Sequence, residues 1–478
     1  MRRRDPGRPV VARRVHGRDS RRRPAGRVAA RRRVARRRLR AARDDDPPRR
    51  RRAVRERPAG QLRVESEAVR RCSSRHAPPP DHARSHVARS VVAVLFGGRS
   101  CEHEVSILTA HEALSVLRRM PDYDPLPVYV TKDGRWLTGP ALDDLDKFAD
   151  PAAIERECRP VTLQPGSPGA LVVETGGLFG KRDSVRIDVA LPLIHGPNGE
   201  DGTLQGTLEM LGIPYAGSGV LGSALCMDKA AMKRAFTAAG LPQVPYTVVT
   251  RAAWDSGPDG ELARASALGE KLFVKPVRGG SSIGVTFVET GDALAPAIDL
   301  ALEFDCEAVV EAAVADVAEV NCAVLRDGDT VLTSTLEAVA ASGGFLTFDQ
   351  KYLQWSKGAP SDEVQGHVIP APLPPEKAER ISALARAAFE ACSCDGVARV
   401  DFLLSGDEVF VNEINTVPGS LSFYLWEPSG VTFDDLLGRM LRTAVLRAER
   451  RSGLTYSLDR NLLEAIQERK GAKGPKRP

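Results

Sequence analysis

The chain has 478 residues, 68 basic and 62 acidic side chains and a net charge of +6, a length that holds roughly two to four domains. Residues 1–90 contain 31 Arg, no Lys and 9 Asp or Glu, whereas the remaining 388 residues hold 37 basic against 53 acidic side chains. A uniformly basic nucleic-acid binder is therefore excluded, because the positive charge belongs to one end alone.

That end comes first. Runs such as RRRVARRRLR bring almost no aromatic or aliphatic mass to offset the entropy of ordering the chain, so residues 1–88 are expected to be a disordered Arg-rich leader. Three origins stay open: a misassigned upstream start, a solvated tail that holds polyanions weakly, or a targeting segment. The last has least support, since no apolar stretch of roughly 7 to 15 residues follows the basic start. No run of about 18 apolar residues is present to span a bilayer. The cysteines at 72, 101, 158, 226, 306, 322, 392 and 394 form no CxxC pair, so neither a zinc site nor a disulfide scaffold is indicated. Scattered thiols without an export signal point to the cytoplasm.

Order is expected from about residue 90. The apolar run 91–96 ends in Gly97-Gly98, and 105–117 then has apolar residues at helical spacing, giving a buried strand, a tight turn and a helix. Strands are expected at 128–130 and 188–194, the latter leading through HGPNGEDG to a helix at 203–211. Strands alternating with helices predict a mostly parallel sheet, whose ligands gather at the carboxyl ends of the strands. A helix at 228–239 stops at Gly240-Leu241-Pro242. Strands at 272–276, 285–288, 308–311, 319–325 and 331–336, a helix at 375–392, strands at 400–404 and 409–411 and a helix at 433–447 make an α+β remainder.

Three constellations carry chemistry. Arg399, Asp401, Glu413 and Asn415 stand in RVDF and VNEIN. A hairpin through the Ser-Gly-Asp turn brings Asp401 and Glu413 to one face, with Asn415 alongside, and such oxygen donors suit a magnesium ion bound to substrate phosphates. The bland alternative is an acidic, solvent-facing hairpin. The second is FVKPVRGGSSIGV, residues 273–285, a Gly-rich turn with a lysine and hydroxyls that offers backbone N–H groups to an anion. It is no P-loop, because Lys275 precedes the glycines and no helix follows. Lys275 sits in an apolar strand and needs an anionic partner if buried; a lysine reaching out from a sheet edge is the alternative. The third pairs GGRSCEHEVS (97–106) with HGPNGEDGTLQG (195–206), loops whose acids and helix starts suit the two ends of an amino acid zwitterion. Glu104 is read equally as a helix-start residue, and His103 and His111 as surface side chains rather than catalysts.

In this order the motifs GG-S-EHEVS, HG-NGEDGTLQG, MDK, VKP-GGSS-GV, GV-RVDF and NEINT-PG resemble those of the D-alanine:D-alanine ligases of the ATP-grasp superfamily, over about residues 91–447. The resemblance implies an α/β and α+β chain with a three-domain ATP-grasp fold: an amino-terminal parallel-sheet domain at 89–217, a central domain at 218–308 and a carboxyl-terminal domain at 309–455, with the leader at 1–88 before them and a basic tail at 456–478 after them. It implies ATP as co-substrate, two Mg2+ ions (with Mn2+ as substitute) on Asp401, Glu413 and Asn415, D-alanine as substrate and a homodimer. It implies no specific nucleic acid and no membrane span.

By the same resemblance Lys229, Lys275, Ser281 and Ser282 face the phosphates, Glu311, Ala312, Ala313 and Val314 read adenine, and Glu319 holds the ribose. EAAVADVAEV is one residue longer here than in some members. Arg399 and the N–H of Gly419 match the groups that hold the oxyanion. Glu102 holds the first ammonium, with His195 near its carboxylate. Glu102, Ser281 and Tyr352 match a trio that ties down the active-site loop, and Lys351 beside Tyr352 meets the second carboxylate. Tyrosine at 352 implies an amino acid nucleophile rather than a hydroxy acid. One departure stands out. Where the family commonly has FTxxSxxP, this chain has SLSFYLWEP, so the serine expected at the second carboxylate is displaced to, or replaced near, Ser422 to Tyr424. An ATP-grasp ligase with another acceptor, and a non-catalytic ATP-binding relative, are the alternatives.

Overall fold

The structure, a computed structural model, describes residues 89–164, 170–173, 183–289, 291–339, 367–455, 461–463 and 466. The first of its three sheets has seven strands, β1 (Ser90–Gly97), β2 (Tyr123–Val130), β3 (Trp136–Thr138), β4 (Arg159–Leu163), β5 (Ala170–Val173), β6 (Asp183–Arg186) and β7 (Val189–Pro192), in the order β6-β5-β4-β3-β2-β1-β7. β1 pairs in parallel with β2 and β7, while β2 through β6 are successive antiparallel neighbours. The mostly parallel sheet expected from the sequence is thus parallel only around β1. Connection length explains much of it. β1 reaches β2 through the helix His103–Leu117, long enough for a crossover, whereas residues 131–135 between β2 and β3 allow only a hairpin.

β1 is buried on both faces, as its unbroken apolar run requires. Val92, Val94 and Phe96 pack toward Ile107 and Leu114 of the helix His103–Leu117, while Ala93 and Leu95 pack toward Leu204 and Leu208 of the helix Thr203–Met210. Strand alternation assigns the two faces.

The second sheet holds β8 (Tyr246–Thr250), β9 (Lys271–Pro276), β10 (Thr286–Glu289) and β11 (Glu307–Ala312), all antiparallel, in the order β10-β9-β11-β8. The helices Arg251–Ser256, Asp259–Ser266 and Leu294–Phe304 were not legible as separate elements. The last covers the sheet, with Ile298 and Leu302 against Val274 and Val310. The border expected at 308/309 falls inside β11, whose pairing with β8 and β9 places it in this sheet.

The third sheet holds β12 (Ala318–Asp327), β13 (Thr330–Thr333), β14 (Glu337–Val339), β15 (His367–Val368), β16 (Val397–Ser405) and β17 (Glu408–Asn415), in the order β15-β14-β12-β16-β17 with β13 against β12. The strand expected at 331–336 is β13 alone and ends at Thr333, and β14 beyond it was not expected. Behind the sheet the helix Pro375–Ala391 sets Ile381, Ala385 and Phe389 against Val400, Phe402 and Val411. The helix Phe433–Ser452 returns to the first sheet, where Leu437 and Met440 join the core of Ile107 and Leu114. Among the described residues no helix is long and apolar enough to cross a membrane.

Candidate active site

The β16–β17 hairpin turns at Gly406, whose φ of 53° suits glycine. Along β16 the residues Val400, Phe402 and Leu404 are buried, while Arg399, Asp401 and Leu403 face the other way. Asp401 pairs directly with Glu413 and Arg399 with Asn415, after a register shift between Asp401 and Phe402. Arg399 Nε and Nη2 donate to Asp401 Oδ1 and Oδ2 at 2.6 and 2.7 Å, and Asn415 Nδ2 donates to Asp401 Oδ2 at 3.0 Å. Asn415 is thereby fixed so that its amide oxygen is its remaining polar atom. Burial opposes the Arg399 charge, but the carboxylate of Asp401 outweighs it and holds the guanidinium pKa well above its ordinary value.

The set of two carboxylates and one amide oxygen fits a hard divalent cation. Among the described residues no three His, Cys, Asp or Glu side chains gather as a complete cage. A bound ion would therefore complete its shell with phosphate oxygens and water, the usual arrangement for magnesium.

The Gly-rich turn lies beside this hairpin. The helix Lys229–Ala238 starts on Asp228, whose Oδ1 accepts the Ala231 N–H at 2.8 Å, a side-chain N-cap. That start aims Lys229: its Nζ donates to Gly279 O at 2.7 Å and lies 3.7 Å from Glu413 Oε2. Lys275, expected to need an anion if buried, has Nζ 2.6 Å from Glu311 Oε2. Burial works against its charge, but Glu311 and Glu413 outweigh that and raise its pKa. Burial alone would raise Glu311, yet Lys275 and Lys233 bring it down to about 2. Ser281 and Ser282 occupy left-handed backbone, with φ of 51° and 62°. At the end of β11, the Ala312 and Ala313 N–H groups donate to Pro245 O and Lys271 O, fixing the edge from which Val314 leaves the sheet. Glu319, on β12 opposite Leu403, also acts electrostatically on Lys275.

The amino-terminal loops close on the same place. Ser281 Oγ donates to Glu102 Oε1, and Glu102 is 8% exposed. His195 is 4% exposed, with Nε2 3.1 Å from Thr109 Oγ1. Desolvation pushes its pKa down to about 4, against the pull of a hydrogen bond to the Val417 backbone, so the imidazole is neutral at pH 7. Thr109 Oγ1 also accepts the Ser420 N–H at 3.1 Å. Glu200 spans two loops, accepting the Gly196 N–H at 2.8 Å and the Val417 N–H at 2.9 Å. Burial and the neighbouring Glu102 carboxylate push its pKa up to about 8.

Tyr352 and Lys351 lie outside the described residues. Gly419 opens the turn Gly419–Ser422, in which Ser420, Leu421 and Ser422 all have φ near 50°. Ser422 is fully buried, and its Oγ has no hydrogen-bond partner among the described residues. Two residues on, the Tyr424 hydroxyl lies 3.5 Å from Glu337 Oε2 and contacts Arg399. Glu337, 1% exposed, also accepts from Asn321 Nδ2 at 2.8 Å and has His367 Nδ1 2.7 Å from Oε1.

Glu200, Glu337 and Lys233 were not singled out from the sequence, and Tyr424 was marked only as the end of the segment that departs from the family pattern. Lys233 alone had a positional signal, a charge at a core position of an amphipathic helix. His103 is a correction. Instead of lying on the surface it is 3% exposed, with Nδ1 2.7 Å from Gly98 O and Nε2 3.0 Å from the Tyr129 hydroxyl. His111 is half-buried, edge-on to Phe96 and Phe148. A histidine that satisfies both ring nitrogens costs little to bury.

Three sheets that bring a glycine turn, inward lysines and a carboxylate hairpin to one point define an ATP-grasp protein. Family models carry this further: "D-ala D-ala ligase N-terminus" matches residues 91–218 and "D-ala D-ala ligase C-terminus" matches residues 235–442. The chain belongs to the D-alanine–D-alanine ligase family. It is 38% identical over 394 residues to the D-alanine–D-alanine ligase of Streptomyces griseus, covering 77% of this chain and 97% of that one. It is 40% identical over 373 residues to D-alanine–D-alanine ligase B of Bradyrhizobium diazoefficiens, covering 76% and 96%. Among solved structures it is similar to the VanG D-Ala:D-Ser ligase from Enterococcus faecalis, with a TM-score of 0.63 and 30% identity over 74% of this chain and 99% of that one. The D-alanine–D-alanine ligase from Coxiella burnetii matches with a TM-score of 0.62 and 27% identity, over 80% and 99%.

Proposed function

We propose that the chain is an ATP-dependent, ADP-forming ligase that joins two D-alanines into the dipeptide used for peptidoglycan precursors. The observation that carries this reading is Lys229 Nζ between Gly279 O and Glu413 Oε2, which puts the anion-binding turn and the oxygen-donor hairpin within one side chain of each other.

A carboxylate is a poor electrophile with a poor leaving group. The γ-phosphoryl group of ATP therefore passes first to the carboxylate oxygen of one D-alanine, releasing ADP and leaving an acyl phosphate. The amine of the second D-alanine attacks the carbonyl carbon, the carbon–oxygen bond to phosphate breaks, and the amine loses its proton. Both steps concentrate negative charge on oxygen, and fixed donors aimed there contribute most, about 3 kcal/mol for a single donor.

Lys229, Lys275 and the backbone of Ser281 and Ser282 bind the phosphates, and Glu311 to Val314 with Glu319 hold the nucleoside. Arg399 and the Gly419 N–H hold the oxyanion. Glu102 takes the first ammonium and His195, neutral and buried, lines its carboxylate. Asp401, Glu413 and Asn415 would hold two Mg2+ ions, replaceable by Mn2+, which neutralise the phosphate charge during transfer. Lys351 and Tyr424, which closes the segment that begins at the buried Ser422, receive the second carboxylate, and Tyr352 joins Glu102 and Ser281 in closing the loop against water. The three domains run from 89 to 217, from 218 to the end of β11 and from there to 455, and the protein works as a homodimer.

Purified protein with ATP, Mg2+ and D-alanine should release phosphate and yield a species of D-alanyl-D-alanine mass; absence of dipeptide would sink the reading. A second reading concerns the acceptor. The stretch SLSFYLWEP departs from the family pattern, so D-serine and D-lactate belong in the same assay, one product mass for each.

A further inference from the structure

Lys233 lies one helical turn beyond Lys229, on the same face of the helix Lys229–Ala238. Its side chain is 1% exposed, with Nζ 2.8 Å from Glu311 Oε1 and 5.2 Å from the centroid of the Tyr246 ring. Glu311, 4% exposed, gives its other oxygen to Lys275, which at 13% is the most open of the three. Two ammonium groups thus share one carboxylate, and the trio keeps one surplus positive charge out of water. An uncompensated buried charge is costly unless a partner arrives. The surplus surfaces at Lys275, on β9 just before the Gly-rich turn.

We propose that Lys233 is a positioning residue for the nucleotide: by neutralising Glu311 from its buried side, it leaves the Lys275 charge uncancelled for a phosphate. Without it Glu311 and Lys275 form a neutral pair, and the lysine is drawn back from the cleft. Glu413 and Glu319 also bear on Lys275. In the nucleotide complex proposed above they have other work, with the cation and the ribose, so Glu311 is the standing competitor. The inference rests on the reading of this cleft as the ATP site. The bland alternative is an ion pair that merely fastens the helix to β11.

The test is a charge cycle in the full-length protein. Lys233→Met should raise KM for ATP about tenfold or more, with kcat and KM for D-alanine changed much less. Lys233→Arg should stay near the parent. Lys233→Met combined with Glu311→Gln removes one charge of each sign, frees Lys275 again and should bring KM for ATP back toward the parent. A merely structural pair predicts the reverse, with the double variant as impaired as the single one or worse, and that result would overturn the inference. So would a Lys233→Met protein with a lower Tm and an unchanged KM for ATP. Should Lys233→Met not fold, Lys233→Gln enters the same cycle. Calorimetric binding of Mg2+-ADP to the same proteins separates this idea from the larger one. If the parent binds nucleotide but makes no dipeptide, the ligase reading fails and the cycle still decides the role of Lys233. A parent that binds no nucleotide ends both.

Discussion

Asp401 and Glu413 stand directly opposite each other across the β16–β17 hairpin, although a plain count from the turn would not pair them. From Ser405↔Glu408 to Phe402↔Val411 the ladder is regular, and its next step would set Asn412 opposite Asp401 and turn Glu413 into the core. A one-residue bulge at that step passes over Asn412, so Glu413 and Asn415 share the face of Asp401 and Arg399. Bulges re-aim side chains in this way beside active sites. Like charges directly opposite are destabilising, and here Arg399 and Lys229 offset them, as a divalent cation would when bound.

Chelation and substitution should therefore separate the two acids. EDTA is expected to abolish dipeptide synthesis, and Mg2+ or Mn2+ to restore it. Glu413→Gln should lower kcat roughly a hundredfold with little change in Tm, because its ion pair with Lys229 is loose at 3.7 Å. Asp401→Asn should lose activity and also about 3 kcal/mol of stability, because it strands a largely buried guanidinium. Equal melting curves for the two variants would contradict this division.

Ser281 ties the Gly-rich turn to Glu102 across 179 residues of sequence. Ser281→Ala should leave folding stability within about 1 kcal/mol of the parent, since one hydrogen bond contributes about that much. It should lower kcat about tenfold or more by loosening the loop that excludes water. Gly280→Ala tests the same contact from the other side. An added Cβ would meet Glu102 Oε2 at 2.6 Å and push that carboxylate off its place. Steady-state kinetics on both variants, with full activity retained, would show that the contact is incidental.

How far the sequence could go is clearest at these residues. Lys275 was legible as a lysine in need of an anion, because an apolar strand surrounds it, and its partner Glu311 was already among the candidate residues. Glu102 and Ser281 were legible only as members of ordered motifs, since no local rule links residues so far apart. The partnership of Asp401 with Glu413 was right for an incomplete reason: alternation suggested a shared face, but the bulge provides it, and no local pattern marks a bulge. Glu200 and Glu337 stayed hidden because their partners come from other elements, and for the same reason Tyr424 was legible only as the end of a departing segment. The antiparallel extension of the first sheet was missed because β3 to β6 are short and weakly patterned.

Stability against pH follows from His195 and Glu200, with opposite signs. His195 falls from 6.5 to about 4 on folding, so the unfolded chain binds more protons between those values. Its contribution is full above about 6.5 and is lost as pH falls toward 4, on the order of 3 kcal/mol in all. Glu200 rises from 4.5 to about 8, so its contribution is full below about 4.5 and is lost as pH rises toward 8. The two slopes oppose each other between about 4.5 and 6.5. From about 6.5 to 8 only the loss from Glu200 remains. Of this pair's contribution, denaturant melts should show a decline over that upper interval that is absent in Glu200→Gln. That variant also starts lower by about 1 to 3 kcal/mol, because an amide nitrogen then faces one of the two backbone N–H donors. A Glu200→Gln protein that keeps the parent's alkaline slope would refute the assignment.

Acceptor choice should respond to Tyr424. Its hydroxyl meets Arg399 and lies 3.5 Å from Glu337 Oε2, whereas Ser422 is sealed inside, its Oγ unpartnered among the described residues. If the second carboxylate is received here, Tyr424→Phe should raise the KM of the acceptor amino acid about tenfold and leave KM for ATP unchanged. Ser422→Ala should alter neither. The two D-alanines of the parent reaction are chemically identical, so the effect is best read with D-serine or D-lactate competing as acceptor and product masses counted. Arg399 is shared by both substrates' chemistry, and a change that reached it would depress kcat with every acceptor alike. A shift confined to acceptor KM therefore marks Tyr424 as a specificity residue, while a uniform fall in kcat marks it as a support for Arg399 and removes it from the acceptor pocket.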